Sequence, residues 1–158
     1  MQHEGCPRIS MNILPSRVID VEKICLHETE GRETGNYVAL SYCWGGDQKM
    51  KTTKENIASK KISIELEHLP RTLQDAIQVC RQLAIRYLWI DALCIIQDND
   101  DDKTRELSQM ALIYNRATLV VSASRAQSVY DGFLVDIKGY PAEAIMLPAR
   151  FSTFAREK

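Results

Sequence analysis

The sequence is poor in histidine and contains no closely spaced pair of cysteines. Its three histidines are isolated from one another, and its five cysteines, an odd number, include no CxxC pair. Because a structural zinc site needs four Cys or His ligands at characteristic spacings, we expect no bound metal. The pattern is typical of a cytoplasmic protein with reduced cysteines, and Cys43, Cys80 and Cys94 lie in apolar segments where a thiol packs as a small hydrophobe.

Long apolar runs and an excess of charge of either sign are also absent. No run approaches the roughly 20 residues that span a bilayer, and residues 1–10 lack the apolar stretch of a secretory signal. The chain carries 20 basic and 21 acidic residues, a net charge of −1, and its longest basic cluster is Lys60-Lys61. We therefore expect neither nucleic acid nor a membrane as a partner.

The sequence does contain an alternation of short apolar segments with amphipathic ones. A hydrophobic fraction of 45% over 158 residues suits one globular domain. Hydrophobic spacing predicts a strand or hairpin over 16–28, strands at 37–43, 118–122 and the start of 87–96, and helices over 72–84 and 103–117. Thr72 is the expected N-cap of the first helix. The order strand, helix, strand, helix, strand indicates an α/β fold with a parallel sheet.

This pattern occupies only the middle of the chain. We interpret residues 1–12 as an N-terminal extension and 13–134 as the folded domain. Residues 135–158 form an irregular segment that Pro141 and Pro148 interrupt. Because no closing element follows, we expect the chain to be part of a longer polypeptide.

Three blocks of sequence resemble the motif blocks of the fungal heterokaryon-incompatibility (HET) domain. The first is 37–46 (YVALSYCWGG). The second is 69–77 (LPRTLQDAI), which runs on into 87–98 (YLWIDALCIIQD). The third consists of Glu106, Met110, Ile113, Tyr114 and Ala117, followed by 120–124 (VVSAS). The resemblance covers residues 13–134, and Ile96 departs from it where the family often carries Asn.

This resemblance implies a role in non-self recognition and programmed cell death when genetically unlike fungal cells fuse. It also implies a distant likeness to TIR domains, with a flavodoxin-like three-layer fold and a mainly parallel sheet. Some TIR domains cleave NAD with a glutamate, whereas others only self-associate. Two functions therefore stay open: cleavage of NAD or a related nucleotide as substrate, with no cofactor required, or non-catalytic signalling by self-association or a partner protein.

The candidate site lies where two of the predicted strands end. In open α/β sheets, ligands bind beyond the carboxyl ends of the strands. If the two strands are adjacent, one crevice receives polar groups from both, and we name as nucleotide-binding candidates Ser41, Tyr42, Trp44, Gly45, Gly46, Cys94 and Gln97. Three of these residues have a simpler interpretation: Gly45-Gly46 as a plain turn, and Trp44 as part of the core rather than a stacking platform.

Asp91 and Glu106 are the candidate catalytic carboxylates. Asp91 interrupts an apolar string, so it needs a partner, for which Ser41, Tyr42, Arg71 and Arg86 are candidates; alternatively it accepts backbone amides at a strand end. Glu106 shares the buried stripe of the second helix, which we assign to Leu107, Met110, Ala111, Ile113, Tyr114 and Ala117. A carboxylate there can stabilise the oxocarbenium-like state of NAD cleavage. Its structural alternative is helix capping or a pair with Arg105 or Arg86.

Two further chemistries are weaker alternatives. Cys94 is the cysteine best placed for a thiol hydrolase, but no histidine lies near it in sequence. The acidic run 98–102 lacks the glycine and terminal glutamate of a calcium loop, so we interpret it as a solvated loop.

Overall fold

The computed structural model of the protein describes residues 12–29, 31–46 and 48–134. Most of the predicted N-terminal extension and the whole segment 135–158 lie outside these ranges. The strands are β1 (Asn12–Ile13), β2 (Arg17–Asp20), β3 (Cys25–Glu28), β4 (Thr34–Gly35), β5 (Tyr37–Ser41), β6 (Tyr87–Trp89) and β7 (Leu119–Ser122). The helices are α1 (Ile57–Ile62), α2 (Arg71–Gln82), α3 (Asp91–Cys94) and α4 (Asp100–Arg116), with a 3-10 turn at Leu66–His68.

Five of the strands form one mixed sheet in the order β3-β2-β6-β5-β7. The strands β6, β5 and β7 are parallel, with Val38 of β5 between Leu88 and Leu119. The predicted parallel unit of three strands with helical crossovers is therefore confirmed. β5 lies at its centre, and its first four residues are buried, as a strand covered on both faces requires.

The other half of the sheet is antiparallel. β2 pairs antiparallel with β3 and with β6, which confirms the predicted hairpin over 16–28. A sheet with two parallel and two antiparallel pairings is mixed rather than mainly parallel. The reason is local: a short turn can join only antiparallel strands, and this one closes through Ile24 at a φ of 51°.

The first long helix starts earlier than expected. α2 begins at Arg71, directly after Pro70, so Thr72 is not its N-cap. Pro70 has an extended backbone and the helix follows at once. The Thr72 hydroxyl instead accepts a hydrogen bond from the Gly132 amide at 3.2 Å. Tertiary contact with the segment after β7 thus replaces the local cap.

The second long helix also starts earlier. α4 begins at Asp100 rather than at residue 103, because the Asn99 side chain caps it by accepting from the Asp102 amide. Acidic residues favour the N-terminal turn of a helix. The interpretation of 98–102 as a solvated loop is therefore wrong for its last three residues, and Asp102 is only 3% exposed.

The buried face of α4 differs in part from the predicted stripe. Asp102, Glu106 and Ile113 are buried, while Met110, Tyr114 and Ala117 pack partly buried against the core. Leu107 is 52% exposed and Ala111 is also exposed, so both were wrongly assigned to this face. The buried residues are spaced three or four positions apart, so they lie on one face of the helix. At the N-terminal end of this face the buried residues are the polar Asp102 and Glu106, where the apolar Leu107 was expected.

α4 is fixed to the sheet by aromatic side chains. The Trp89 and Tyr114 rings pack edge to face with centroids 5.5 Å apart, and the Tyr37 hydroxyl donates to the Ile113 carbonyl at 2.5 Å. Trp89 and Tyr37 are among the largest fully buried side chains. No helix within the described ranges is long and apolar enough to cross a membrane.

The cysteines divide between core and surface. Cys80 and Cys94 are buried free thiols, as predicted, whereas Cys43 is exposed. Cys43 lies two residues beyond the last residue of β5, outside the part of the strand that its neighbours cover. The apolar residues of β5 that precede Cys43 in the sequence are therefore buried, whereas Cys43 itself is not.

Candidate functional site

The predicted convergence of the two strand ends is present. β5 and β6 are adjacent and parallel, so the residues that follow them meet at one edge of the sheet. The Trp44 indole Nε1 donates to Asp91 Oδ2 at 3.0 Å. Asp91 Oδ1 accepts from the Ala92 amide at 2.7 Å, as a residue that begins a helix can do. A side-chain contact thus joins the two segments that the sequence singled out.

Asp91 is a half-buried carboxylate, and its neighbours compensate only weakly for the cost of burying its charge. Burial raises its pKa above the ordinary value, and the hydrogen bonds from the Ala92 amide and the Trp44 indole only partly offset this. The Tyr42 hydroxyl donates to Gln48 Oε1 at 2.9 Å, and burial followed by the Asp91 charge raises the pKa of Tyr42. No cation pairs with Asp91 among the described residues, so no opposite charge counters the burial that raises its pKa.

Three of the suggested partners of Asp91 are engaged elsewhere or exposed. Arg71 pairs with Asp75 at 3.2 Å, and Arg86 pairs with Asp20 at 2.6 Å. Ser41 is exposed at the end of β5, where its backbone is paired with β7. Neither arginine is therefore the partner of Asp91, because each pairs with another carboxylate, Arg71 within α2 and Arg86 with β2. The alternative of a backbone amide partner is confirmed.

Close packing explains the glycine at one of the two positions of the pair, Gly45. Gly45 and Gly46 have φ angles of 71° and 133°, a region that favours glycine. A Cβ on Gly45 would lie 2.3 Å from Ser128 Cβ, so the segment after β7 makes the close approach. A Cβ on Gly46 would meet no atom within 4 Å. Of the pair, Gly46 is the position that leaves space beside the strand ends.

Gln97 and Cys94 have structural contacts. The Gln97 side chain donates from Nε2 to the carbonyls of Asp91 and Ile95 at 3.1 and 3.2 Å, which closes the turn after α3. Cys94 is 1% exposed, and burial raises the pKa of its thiol to about 12. A thiol protonated at neutral pH is a poor nucleophile, so these surroundings disfavour the hydrolase alternative.

Glu106 lies in a buried ion-pair network. It is 1% exposed, and its Oε1 lies 3.6 Å from Arg17 Nη2 and 3.4 Å from Arg105 Nε. The predicted structural partner Arg105 is therefore present, and Arg86 is not. Arg17 was missed by sequence reasoning, although a basic residue directly before the apolar pair Val18-Ile19 was the available signal.

Arg17 connects β2 to the beginning of α4. Its Nε donates to the Cys94 carbonyl at 2.6 Å, and its Nη2 lies 2.5 Å from Asp102 Oδ2. Burial alone would raise the pKa of Asp102, but hydrogen bonds from Arg17 and the Ile96 amide hold it below the ordinary value. A buried guanidinium with several acceptors is a stable arrangement only while all of them remain.

The two candidate catalytic carboxylates therefore have separate surroundings. Asp91 begins α3 and contacts Trp44, whereas Arg17, the partner of Glu106, contacts the carbonyl at the other end of α3. No hydrogen bond or ion pair between described residues joins Asp91 to Glu106. A mechanism in which Asp91 and Glu106 act together on one substrate has no support from these contacts. The catalytic role of each residue remains a prediction.

These features define a mixed α/β domain with a small polar site at the tips of two parallel strands. The sequence model of the family described as Heterokaryon incompatibility protein (HET) matches residues 37–144, more than half of the chain. The chain belongs to this family. The match includes the strand-tip site and the whole of α4.

A curated relative agrees with this assignment. The chain is 29% identical to Heterokaryon incompatibility protein 6, OR allele, of Neurospora crassa, over an alignment of 107 positions. The alignment covers 61% of this chain and 15% of the relative, so the chain corresponds to a small part of that protein. No solved structure matches the chain.

Proposed function

We propose that this chain is an effector domain of fungal heterokaryon incompatibility, acting in the non-self recognition that ends in programmed cell death. The proposal rests on membership of the HET family and on the name of the Neurospora crassa relative. It concerns this domain alone, since the relative is much longer. For the domain itself we propose signalling through protein contacts, with self-association as its form.

The observation that carries this proposal is the outer edge of the sheet at β7. Within the described ranges β7 pairs only with β5, so its other edge presents unpaired backbone groups. Leu119 and Val120 are 40% and 42% exposed on this strand. Open strand edges readily pair with another strand, and two identical strands can pair about a twofold axis. A second copy of this chain is the partner that we propose.

The surroundings of Glu106 support a role without catalysis. A catalytic carboxylate must reach the reacting atoms of its substrate. Glu106 is almost fully buried, and Arg17 and Arg105 both contact its carboxylate. Its contacts are those of a group that stabilises the domain, which favours the structural interpretation of this position.

Self-association can be tested with a charge on the open edge. We expect the wild-type chain to form a concentration-dependent dimer, and Val120→Lys to weaken the dimer by at least about tenfold in Kd, because a lysine on an edge strand opposes pairing. Light scattering coupled to size exclusion measures this. Ile62→Lys is the matched control, since Ile62 is 82% exposed on α1, which packs on β3 at the opposite edge. A wild type that stays monomeric at all concentrations contradicts the proposal.

Cleavage of NAD or a related nucleotide at the strand tips is the second candidate function. In chain order the parallel strands are β5, β6 and β7, and in space β5 lies between the others. This is the 2-1-3 order of flavodoxin-like sheets, whose ligands lie at the strand tips, and it supports a TIR-like, three-layer interpretation of the fold. Trp44 would stack on a base, and Asp91 would stabilise the oxocarbenium-like state.

A nicotinamide-release assay separates the two candidates. Signalling by contact alone predicts no release above the rate in buffer, even at concentrations where the chain self-associates. Cleavage predicts release that Asp91→Asn lowers by roughly 100-fold or more, while the exposed control Asp101→Asn leaves it unchanged. Loss of release in Glu106→Gln with the fold intact would restore the sequence-based role of Glu106.

A further inference from the structure

A cavity that shares no lining residue with the strand-tip site lies against α1. It has a volume of about 420 Å³, within the size range of small-molecule sites. The loop after β5, the helix α1 and the 3-10 turn that follows it form its walls. The lining residues that matter here are Lys49, Met50, Lys60, Ile62, Ser63 and His68.

Lys60 is the unusual residue of this cavity. It is 8% exposed, yet no described carboxylate or other acceptor pairs with its ammonium group. Its neighbour Lys61, by contrast, pairs with Glu28 of β3. Burial of the side chain disfavours its charged form and lowers the pKa of Lys60, so an anion beside the ammonium group would stabilise it. The described fold supplies no group that compensates this charge.

The surroundings of Lys60 favour an anion. Lys49 lines the same cavity. Among the described lining residues Glu65 is the one carboxylate, and it pairs with His68. Ser63 adds a hydroxyl to the polar side of the cavity. Among the described lining residues, Lys49 and Lys60 therefore leave positive charge in excess, although the net charge of the whole sequence is only −1.

The cavity also has an apolar wall. Met50 is partly buried against the core, and Ile62 is 82% exposed beside it. A ligand that satisfies both sides needs an anionic group and an apolar body. Phosphate suits the polar side, because lysine binds it as a point charge and a hydroxyl adds a donor.

We propose that this cavity binds a small phosphomonoester, with its phosphate on Lys60 and its apolar part on Met50 and Ile62. The phosphate would supply the counter-charge that the described fold does not provide. This site shares no residue with the strand-tip site or with the β7 edge. The proposal of phosphate binding can therefore be wrong while the proposed function holds, and the reverse.

Phenyl phosphate is the probe for the test. We expect it to raise the Tm of the full chain saturably at constant ionic strength, since a ligand that binds only the folded state stabilises it. Inorganic phosphate should bind at least about tenfold more weakly, because it makes no contact with Met50 and Ile62. Equal binding of the two probes would overturn the proposed apolar contact, and no shift with phenyl phosphate would overturn the site.

Substitutions decide whether Lys60 holds the phosphate. Lys60→Met should lose at least about tenfold in affinity for phenyl phosphate, and Lys60→Gln should behave alike. The control is Lys54→Met, an exposed lysine of the preceding turn, which should bind as the wild type does. Far-UV circular dichroism and the Tm without ligand check the fold of each variant. Unchanged affinity in both folded Lys60 variants would contradict the assignment.

Discussion

Arg17→Met should lower the free energy of unfolding by roughly 3–5 kcal/mol, the cost of removing one member of a buried ion-pair network. The substitution keeps much of the side-chain volume but leaves the carboxylates of Asp102 and Glu106 in the interior with only Arg105 as a cation. It also removes the donor to the Cys94 carbonyl. Urea unfolding followed by circular dichroism measures the difference.

Two further variants make this result specific to the network. Arg32→Met, at an exposed position, should change the free energy of unfolding by less than about 0.5 kcal/mol. The triple variant Arg17→Met, Asp102→Asn, Glu106→Gln should recover part of the loss, because no unpaired charge remains inside. If the single and triple variants are equally unstable, the loss comes from packing and not from charge.

The same network predicts a dependence on pH. The pKa of Asp102 is lower in the folded state than in the unfolded state, so the unfolded chain binds the proton more readily. The stability that this group contributes is therefore present above the unfolded value of about 4 and is lost as the pH falls through the folded pKa. In Arg17→Met this acid-side loss should be smaller, because the main interaction that lowers the pKa is gone.

Trp89→Ala should have an effect of similar size, roughly 3–5 kcal/mol, because truncating a large buried aromatic leaves a cavity. Trp89 is fully buried on the central part of the sheet and packs against Tyr114 of α4. Its loss removes contacts that hold α4 to the sheet. Unfolding in urea gives the magnitude, and a lower m-value would indicate a less compact folded state.

Trp89→Phe is the informative comparison. The Trp89 indole N–H has no acceptor among the described residues, so phenylalanine removes a buried group that is already unsatisfied. We expect it to cost less than half as much as alanine. Trp44→Phe provides the contrast, since the Trp44 indole donates to Asp91. A Trp89→Phe variant as unstable as Trp89→Ala would show that ring shape, and not buried volume, governs this position.

Much of the architecture was predictable because the local pattern agrees with the burial that the fold provides. The apolar runs of β5 and β6 and the amphipathic spacing of α2 identify the parallel unit. The meeting of Trp44 and Asp91 followed from strand adjacency alone. The helix beginnings were wrong by a few residues, since Pro70 and the Asn99 cap outweighed the apolar spacing.

The pairing of charged groups was not predictable in the same way. Arg17 lies 85 residues from Asp102 along the chain, and no local rule connects them. Lys60 resembles any surface lysine in sequence, since its neighbours are polar, and only the packing of α1 on β3 buries it. Leu107 shows the converse, an apolar residue left exposed.

The sequence by itself determined the α/β class, the central strand, the family resemblance and the two segments that build the strand-tip site. These features depend on local periodicity and motif spacing, which can be read directly from the amino-acid sequence. Only the tertiary structure decided that the sheet is mixed, that Glu106 lies in an ion-pair network with Arg17 and Arg105, and that the side chain of Lys60 is buried without a described partner. Those outcomes depend on contacts between distant residues, where the cost of burying a charge is set by whichever group the fold brings beside it.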